Sequence, residues 1–327
     1  MKEGAVIVID KGMYSFSTCW NIKRHTSGRE LIDEIRALGF RRVELNYNIT
    51  RELLETIEPM IEQGEIAVSS VHNVFPFVND KAYDTDSVML GYDDEAMRKR
   101  SVELLLQSME YAHRYGAEAV VVHPGEVPFE SNIDAELKGL WQAHGPQSPQ
   151  YRALWDRMME RRSALAPRYV QRIAESLEEA CEEAARREWN AAIGIETRSR
   201  CYQIPTLREA AEICGRLQGA PVHLWLDTGH AMMMQRMGLY DAETELEEVK
   251  RFIYGVHLHE TLGLSDHWCP YVHSGEDRYY DPYLEAIALA KVKVYELKAA
   301  CLPEEIHRCH DILTGKLQTL QDSAAAG

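Results

Sequence analysis

The sequence predicts an α/β protein, a closed (β/α)8 barrel of the TIM type with a long insertion after the fourth strand. Three observations predict it. Short β-rich runs alternate with amphipathic segments through most of the chain, the rhythm of βαβ units. Eight such runs are present, and 327 residues is close to the length one barrel with insertions uses. A doubly wound open sheet gives a similar rhythm, but no GxGxxG follows the first run, which removes the commonest cofactor-binding form of that fold. The chain is read as one domain over 1–327.

Taken in order, the first strand falls at 13–17 (MYSFS). The first helix follows in SGRELIDEIRALG, where Leu31, Ile32, Ile35 and Leu38 recur at helical spacing, Ser27 is placed to cap and Gly39 to end it. Further strands are read at 42–46 (RVELN), 66–71 (IAVSSV) and 118–122 (EAVVV). The rhythm then breaks over 127–167, which contains HGPQSPQYRALWDRMMERR with Trp141 and Trp155. A connection of that length is expected to be a lid over the mouth or a subunit surface. The last four strands are read at 192–196 (AIGIE), 222–226 (VHLWL), 253–258 (IYGVHL) and 293–297 (KVYEL), and 320–327 as a frayed tail.

With 45% hydrophobic and 27% charged residues, the composition is that of a soluble globular protein with ample core material. The longest apolar runs, AVIVI near the start and EAVVVH near residue 120, are strand length, and Lys2, Glu3 and Asp10 do not frame a signal peptide, so a cytoplasmic protein is expected. Seven cysteines are scattered without a CxxC pair, which argues against a disulfide framework, a zinc ribbon or a thioredoxin-type motif. A net charge of −16 disfavours reliance on phosphate backbones and makes nucleic acid a weak candidate partner, although much of the acid lies in helical surface runs such as ESLEEACEEAARRE.

In a barrel of this type catalytic residues sit at the carboxyl ends of the strands, where the loops converge on one mouth. Those ends read Glu44, His72, His123, Glu196, Asp227 with His230, His257 with His259, and Glu296. An ordinary surface loop favours Lys, Ser, Gly and Asn; this set of imidazoles and carboxylates suits Mn²⁺, Zn²⁺, Co²⁺ or Fe²⁺, whereas carboxylates alone suit Mg²⁺ better. Singly, each has a plain structural explanation: His72 as a hydrogen-bonded core histidine, Asp227 as a helix cap, Glu44 as the partner of an arginine. Independent caps would not all choose ligand chemistry. Of the two histidines of strand seven, His257 is read as facing the mouth and His259 the helices.

SSVHN, VVVHPGE, IGIET, LWLDTGHA, GVHLHET, DHWCPYVHSGED and VYELK, in that order, resemble the xylose-isomerase-like TIM-barrel superfamily, which includes sugar phosphate isomerases and epimerases and the endonuclease IV nucleases. The resemblance spans nearly the whole chain. It implies one divalent metal, Mn²⁺ first with Co²⁺, Mg²⁺ or Zn²⁺ as alternatives, held by Glu196, Asp227, His257 and Glu296. It further implies that Glu196 and Glu296 form the acid/base pair of a sugar isomerase or epimerase working through an enediolate. His230 would hydrogen-bond a substrate oxygen, and Arg198 would hold a hydroxyl or a phosphate, the alternative being a surface salt bridge.

His72 and His123 match positions that bind additional metals in the endonuclease IV group, so a three-metal cluster is an alternative. Two departures count against the nuclease: its Asp-x-His pair is here the adjacent Asp266 and His267, and IGIETRSR lacks the Asn and Gly that follow the nuclease glutamate. On the sugar reading His72, His123 and His267 line the substrate pocket, with His273 a lesser candidate. Trp20 in FSTCWN and Trp268 are read as an aromatic wall for sugar C–H faces, with core packing the alternative. Other functional alternatives are a lyase or dehydratase on a keto sugar, including 3-keto glycoside cleavage, and a noncatalytic barrel with a structural metal. The expected partner is a small carbohydrate, and the family suggests a homo-oligomer.

Overall fold

The computed structural model describes residues 11–86, 89–274 and 279–326. The AVIVI run at 5–9 and Gly275, Glu276 and Asp277 of the DHWCPYVHSGED stretch lie outside the described residues.

Among the described residues, eight parallel strands run in chain order: Ser15–Ser17, Arg42–Leu45, Ala67–His72, Ala119–Val122, Ala192–Glu196, Val222–Asp227, Ile253–Leu258 and Val292–Tyr295. They are numbered 1 to 8 below. Each pairs with the next and the eighth pairs with the first, which closes the barrel. All eight fall where the sequence rhythm places them. Strands 3 and 6 extend one residue further than expected, to His72 and Asp227, and strand 8 stops at Tyr295, leaving Glu296 just beyond it.

Period-two alternation sorts the side chains of each strand. On strand 6, Leu224 and Leu226 join the main core beneath the helices, while Trp225 turns into the barrel. There it meets Ala119, Val121, Ala192, Val292 and Val294. The indole fits because two neighbours have no side chain: a Cβ on Gly194 or Gly255 would lie 2.7 or 2.2 Å from its ring atoms. The interior below the mouth is thus a packed apolar plug.

The first helix, Gly28–Ala37, buries Leu31, Ile32 and Ile35 as its spacing predicts, and Gly39 follows it at φ +93°. Ser27 occupies the N-cap position but makes no side-chain cap bond.

The insertion after strand 4, expected as a lid or a subunit surface, is two helices, Ile133–His144 and Pro149–Arg186, and the second continues as the helix that precedes strand 5. None of residues 127–167 lines the mouth cleft. The two helices pack Leu137, Tyr151, Leu154 and Met158 against Cys201, Tyr202, Met233, Met234 and Met237 in a core of their own. Polar contacts reinforce that packing. Buried Arg162 donates to the carbonyls of Cys201 (2.9 Å) and Gln203 (3.0 Å) and to Glu209, Lys138 donates to Ser199 O (2.8 Å), and Asp134 accepts from Cys201 N–H (3.0 Å). The insertion thus packs as a buttress for the loop after strand 5 and adds no residue to the lining of the cleft.

The closing helix runs over Pro303–Ala326 and so takes in most of the expected tail at 320–327. Leu313 and Leu317 anchor it in the core, and Thr319 and Ser323 bond the carbonyls four residues back. All seven cysteines are free thiols. No helix of the described residues is long and apolar enough to cross a membrane.

Candidate active site

The carboxyl ends of the strands build a cleft of about 250 Å³. Its lining includes Tyr47, His72, Asp86, His123, Glu196, Arg198, His230, Asp266, His267 and Glu296. At its base Glu196, Asp227, His257 and Glu296 each offer a ligand atom within 4.8 Å of the others, and all four are buried. These are the four residues expected to hold a metal, and strands 5, 6, 7 and 8 deliver one each.

His257 shows why a cation fits there. Its Nε2 faces Glu44 Oε2 at 3.1 Å, and Glu44 in turn accepts from Ser70 Oγ at 2.9 Å, so the ring proton belongs on Nε2. The bare Nδ1 then points at Glu296 Oε2 (3.2 Å), Glu196 Oε1 (3.5 Å) and Asp227 Oδ2 (3.6 Å) and has no hydrogen-bond partner. Burial disfavours charge on the His257 ring, but Glu296, Glu44 and Glu196 outweigh it and raise its pKa well above the usual value, so the pocket favours a positive charge at this point, either a proton or a metal ion. Charge within the group is uneven. Burial pushes the Glu296 carboxyl up to about 8, with His257 opposing and the Glu196 and Glu44 carboxylates reinforcing the rise. For Glu196 burial acts the same way but loses to His123, His257 and Arg198, which hold its carboxyl well below the usual range.

Asp227 answers two demands at once. One oxygen, Oδ1, accepts the backbone N–H of His230 at 2.7 Å and caps the helix Thr228–Met237, while Oδ2 faces His257. Cap and site are the same residue.

The strand-seven reading needs correction. Residues two apart on a strand share a face, so His257 and His259 both point inward, as Gly255 does. His259 is fully buried on the far side of Asp227, with Nε2 2.9 Å from Oδ2.

Two further groups stand beside these four residues. His72 Nε2 (3.2 Å) and His123 Nε2 (2.8 Å) converge on Glu196 Oε2, and their Nδ1 atoms face the carbonyls of Asn73 and Thr85. On the other side, His230, His259 and His267 form a second cluster. His230 Nδ1 faces Thr197 O at 3.1 Å and His267 Nδ1 faces Glu296 O at 2.9 Å. In each of His72, His123, His230 and His267 a backbone carbonyl pins one nitrogen and leaves the other for the cleft.

Arg198 is no surface salt bridge. It is 5% exposed, donates to Asp86 Oδ1 (2.7 Å) and Glu196 Oε1 (3.2 Å), and contacts His123. Trp20 overturns its expectation. Its ring is fully buried against Phe16 and its Nε1–H donates to Cys301 O at 2.9 Å, because the 3-10 turn Thr18–Trp20 after strand 1 aims it under the strand-8 loop. Trp268 is half-buried on an antiparallel ribbon, Glu260–Leu262 with Ser265–Trp268, under the ammonium of Lys298. His273 pairs with Glu305 away from the cleft.

Sequence reading missed Tyr47, Asp86 and Arg200. Asp86 lies in the loop after strand 3, with no strand behind it, and joins Arg198 to Arg200 (3.2 Å). Arg200 follows the Glu196–Arg198 alternation and was legible on that ground.

Comparison with known proteins agrees with this architecture. A search of solved structures finds the E. coli 3-keto-D-glucoside 4-epimerase at 15% identity, covering 93% of this chain and 99% of that one, TM-score 0.62. A D-tagatose 3-epimerase-like protein matches at 16% identity, 95% and 99% coverage, TM-score 0.63. D-psicose 3-epimerase with D-tagatose from Clostridium cellulolyticum H10 matches at 12% identity, 96% and 98% coverage, TM-score 0.56. At these identities the likeness is one of fold. Among curated proteins, none matches. The family model described as xylose isomerase-like TIM barrel matches residues 32–288, most of the barrel and its strand ends, and the chain belongs to that family.

Proposed function

We propose that the protein is a divalent-metal-dependent isomerase or epimerase of a sugar or sugar derivative, acting by proton transfer through an enediolate, with Mn²⁺ the preferred ion. One observation carries the reading: three carboxylates and an unpartnered imidazole nitrogen meet at the base of a small polar cleft, with two of the carboxylates at the carboxyl ends of strands 5 and 8. Glu196, Asp227, His257 and Glu296 would hold the ion, whose chemistry is to polarise a ketose carbonyl and its neighbouring hydroxyl and so acidify the C–H between them.

The chain's own groups do the rest. Glu196 Oε1 and Glu296 Oε2 approach His257 from different strands, so one removes the proton and the other returns it to the opposite face. His230 and Arg198 orient substrate oxygens from the cleft wall, with His72, His123 and His267 beside them. The apolar plug around Trp225 keeps water from reaching the acid/base pair from below. The structural neighbours named as sugar epimerases support this choice, and the cleft volume suits a monosaccharide.

The test is solvent exchange. With Mn²⁺ bound, a ketose panel in deuterated water should include a sugar that gains deuterium next to its carbonyl during turnover; conversion without exchange would remove the enediolate route. A second reading, an endonuclease IV-type phosphodiesterase, is favoured by the His72, His123 and Glu196 group, which adds a second ligand set to the first. About three zinc ions per chain together with cleavage of abasic-site DNA would establish it over the sugar reading.

A further inference from the structure

His259 stands in the cluster with His230 and His267, yet its surroundings differ from theirs. Both of its nitrogens are engaged. Nδ1 accepts the backbone N–H of His267 at 2.9 Å, which places the ring proton on Nε2. Nε2 then donates to the Asp227 carboxylate, 2.7 Å from Oδ1 and 2.9 Å from Oδ2. With no lone pair left for an ion, His259 is not itself a ligand.

The fold invests in that placement. His259 is fully buried, and a Cβ on Gly229 would lie 2.0 Å from its Nδ1, so the first turn of the helix after strand 6 has a glycine where the ring must pass. His267 holds the donor N–H in place from a left-handed backbone conformation, φ +61°, and its ring stacks on that of His259 at 4.0 Å. Thr228 Oγ1 and the His259 backbone N–H lie 3.3 Å apart and tie the same two segments together.

We propose that His259 is a positioning residue: it turns the Asp227 carboxylate toward the metal site and links that ligand to the ribbon carrying Asp266 and His267. The inference rests on the metal reading given above. It assigns to His259 the role a carboxylate or carbonyl plays for a metal-bound histidine, with donor and acceptor exchanged.

Two variants separate this role from simple packing. His259→Gln carries an N–H to about the position of Nε2 and keeps the bond to Asp227. His259→Asn keeps an acceptor for His267 N–H but cannot reach Asp227. Calorimetric Mn²⁺ titration of the metal-stripped full-length chain should show His259→Asn binding about 10- to 100-fold more weakly than wild type at unchanged stoichiometry. His259→Gln should stay within a few-fold of wild type, and the two variants should melt alike without metal. Equal affinities for both variants, or the loss of one equivalent of ion from either, would overturn the positioning role while leaving the metal reading intact. A wild-type chain that binds no Mn²⁺ would instead overturn the metal reading and this inference with it.

Discussion

Trp225 and Asp227 are two residues apart on one strand, face the same side, and belong to opposite environments. Trp225 is the centre of an apolar plug with alanines, valines and two glycines around it; Asp227 belongs to a layer of carboxylates and imidazoles one step higher. The two layers depend on each other. Because the plug closes the barrel from below, the charged layer can be balanced only by its own imidazoles, by Arg198, or by a cation arriving through the mouth. The lower layer packs for stability, whereas the upper one gathers buried charge at a cost in stability, the arrangement that the proposed chemistry needs.

The comparison can be broken most severely in the upper layer. Glu296→Gln keeps the shape of the side chain and removes the carboxylate proposed as one of the acid/base pair, so deuterium exchange into the substrate should fall by about 10²- to 10⁴-fold while the fold persists. Near-wild-type exchange in this variant would remove Glu296 from the proton path. In the lower layer, Trp225→Ala should leave a cavity and cost about 3–5 kcal/mol in denaturant unfolding. If that variant kept wild-type stability, the plug would not be the support assigned to it.

Metal removal probes how far the charged layer depends on a cation. With Mn²⁺ at 100 times its dissociation constant, binding should contribute about 2.7 kcal/mol, read as a fall in melting temperature on chelation and recovery on readdition. A melting temperature indifferent to both would show that the four ligands balance one another unaided.

His310 provides the smallest test and a third environment. It is buried outside the barrel against Tyr14, Phe40 and Tyr295, and burial pushes its imidazole down to about 4, with Lys11 and His307 also lowering it and Asp311 opposing. Its folded pKa lies below the unfolded value, so between roughly pH 6.5 and 4 the unfolded chain binds the extra proton. Its contribution to stability is full above about pH 6.5 and is lost as the pH falls towards 4. His310→Gln should flatten the pH dependence of the unfolding midpoint in that window; an unchanged slope would show that other groups produce it.

Much of this was legible because the strand period is short and local. Alternation within VHLWLD and IYGVHL assigns each side chain a face, and the eight-fold rhythm puts Glu44, His72, His123, Glu196, Asp227, His257 and Glu296 at one end of one barrel. The same rule, applied correctly, places His259 beside His257 inside. Trp20 failed for another reason: the direction of a 3-10 turn after a three-residue strand depends on what packs over it, here the carbonyl of Cys301. Asp86 had no periodic neighbour to reveal it. The insertion reads as a long connection, whereas its role follows from Arg162 and Lys138 reaching carbonyls 39 and 61 residues away.

The sequence by itself determined the barrel and the chemistry of its rim, since side-chain facing and residue type are local properties that a two-residue period carries along the chain. Only the tertiary structure decided which nitrogen of each histidine is held and which is left for the cleft, that Asp227 both caps a helix and faces His257, and that Trp20 is core. Those outcomes are set by partners tens to hundreds of residues distant, such as Glu44 for His257, whose approach depends on closure of the whole barrel.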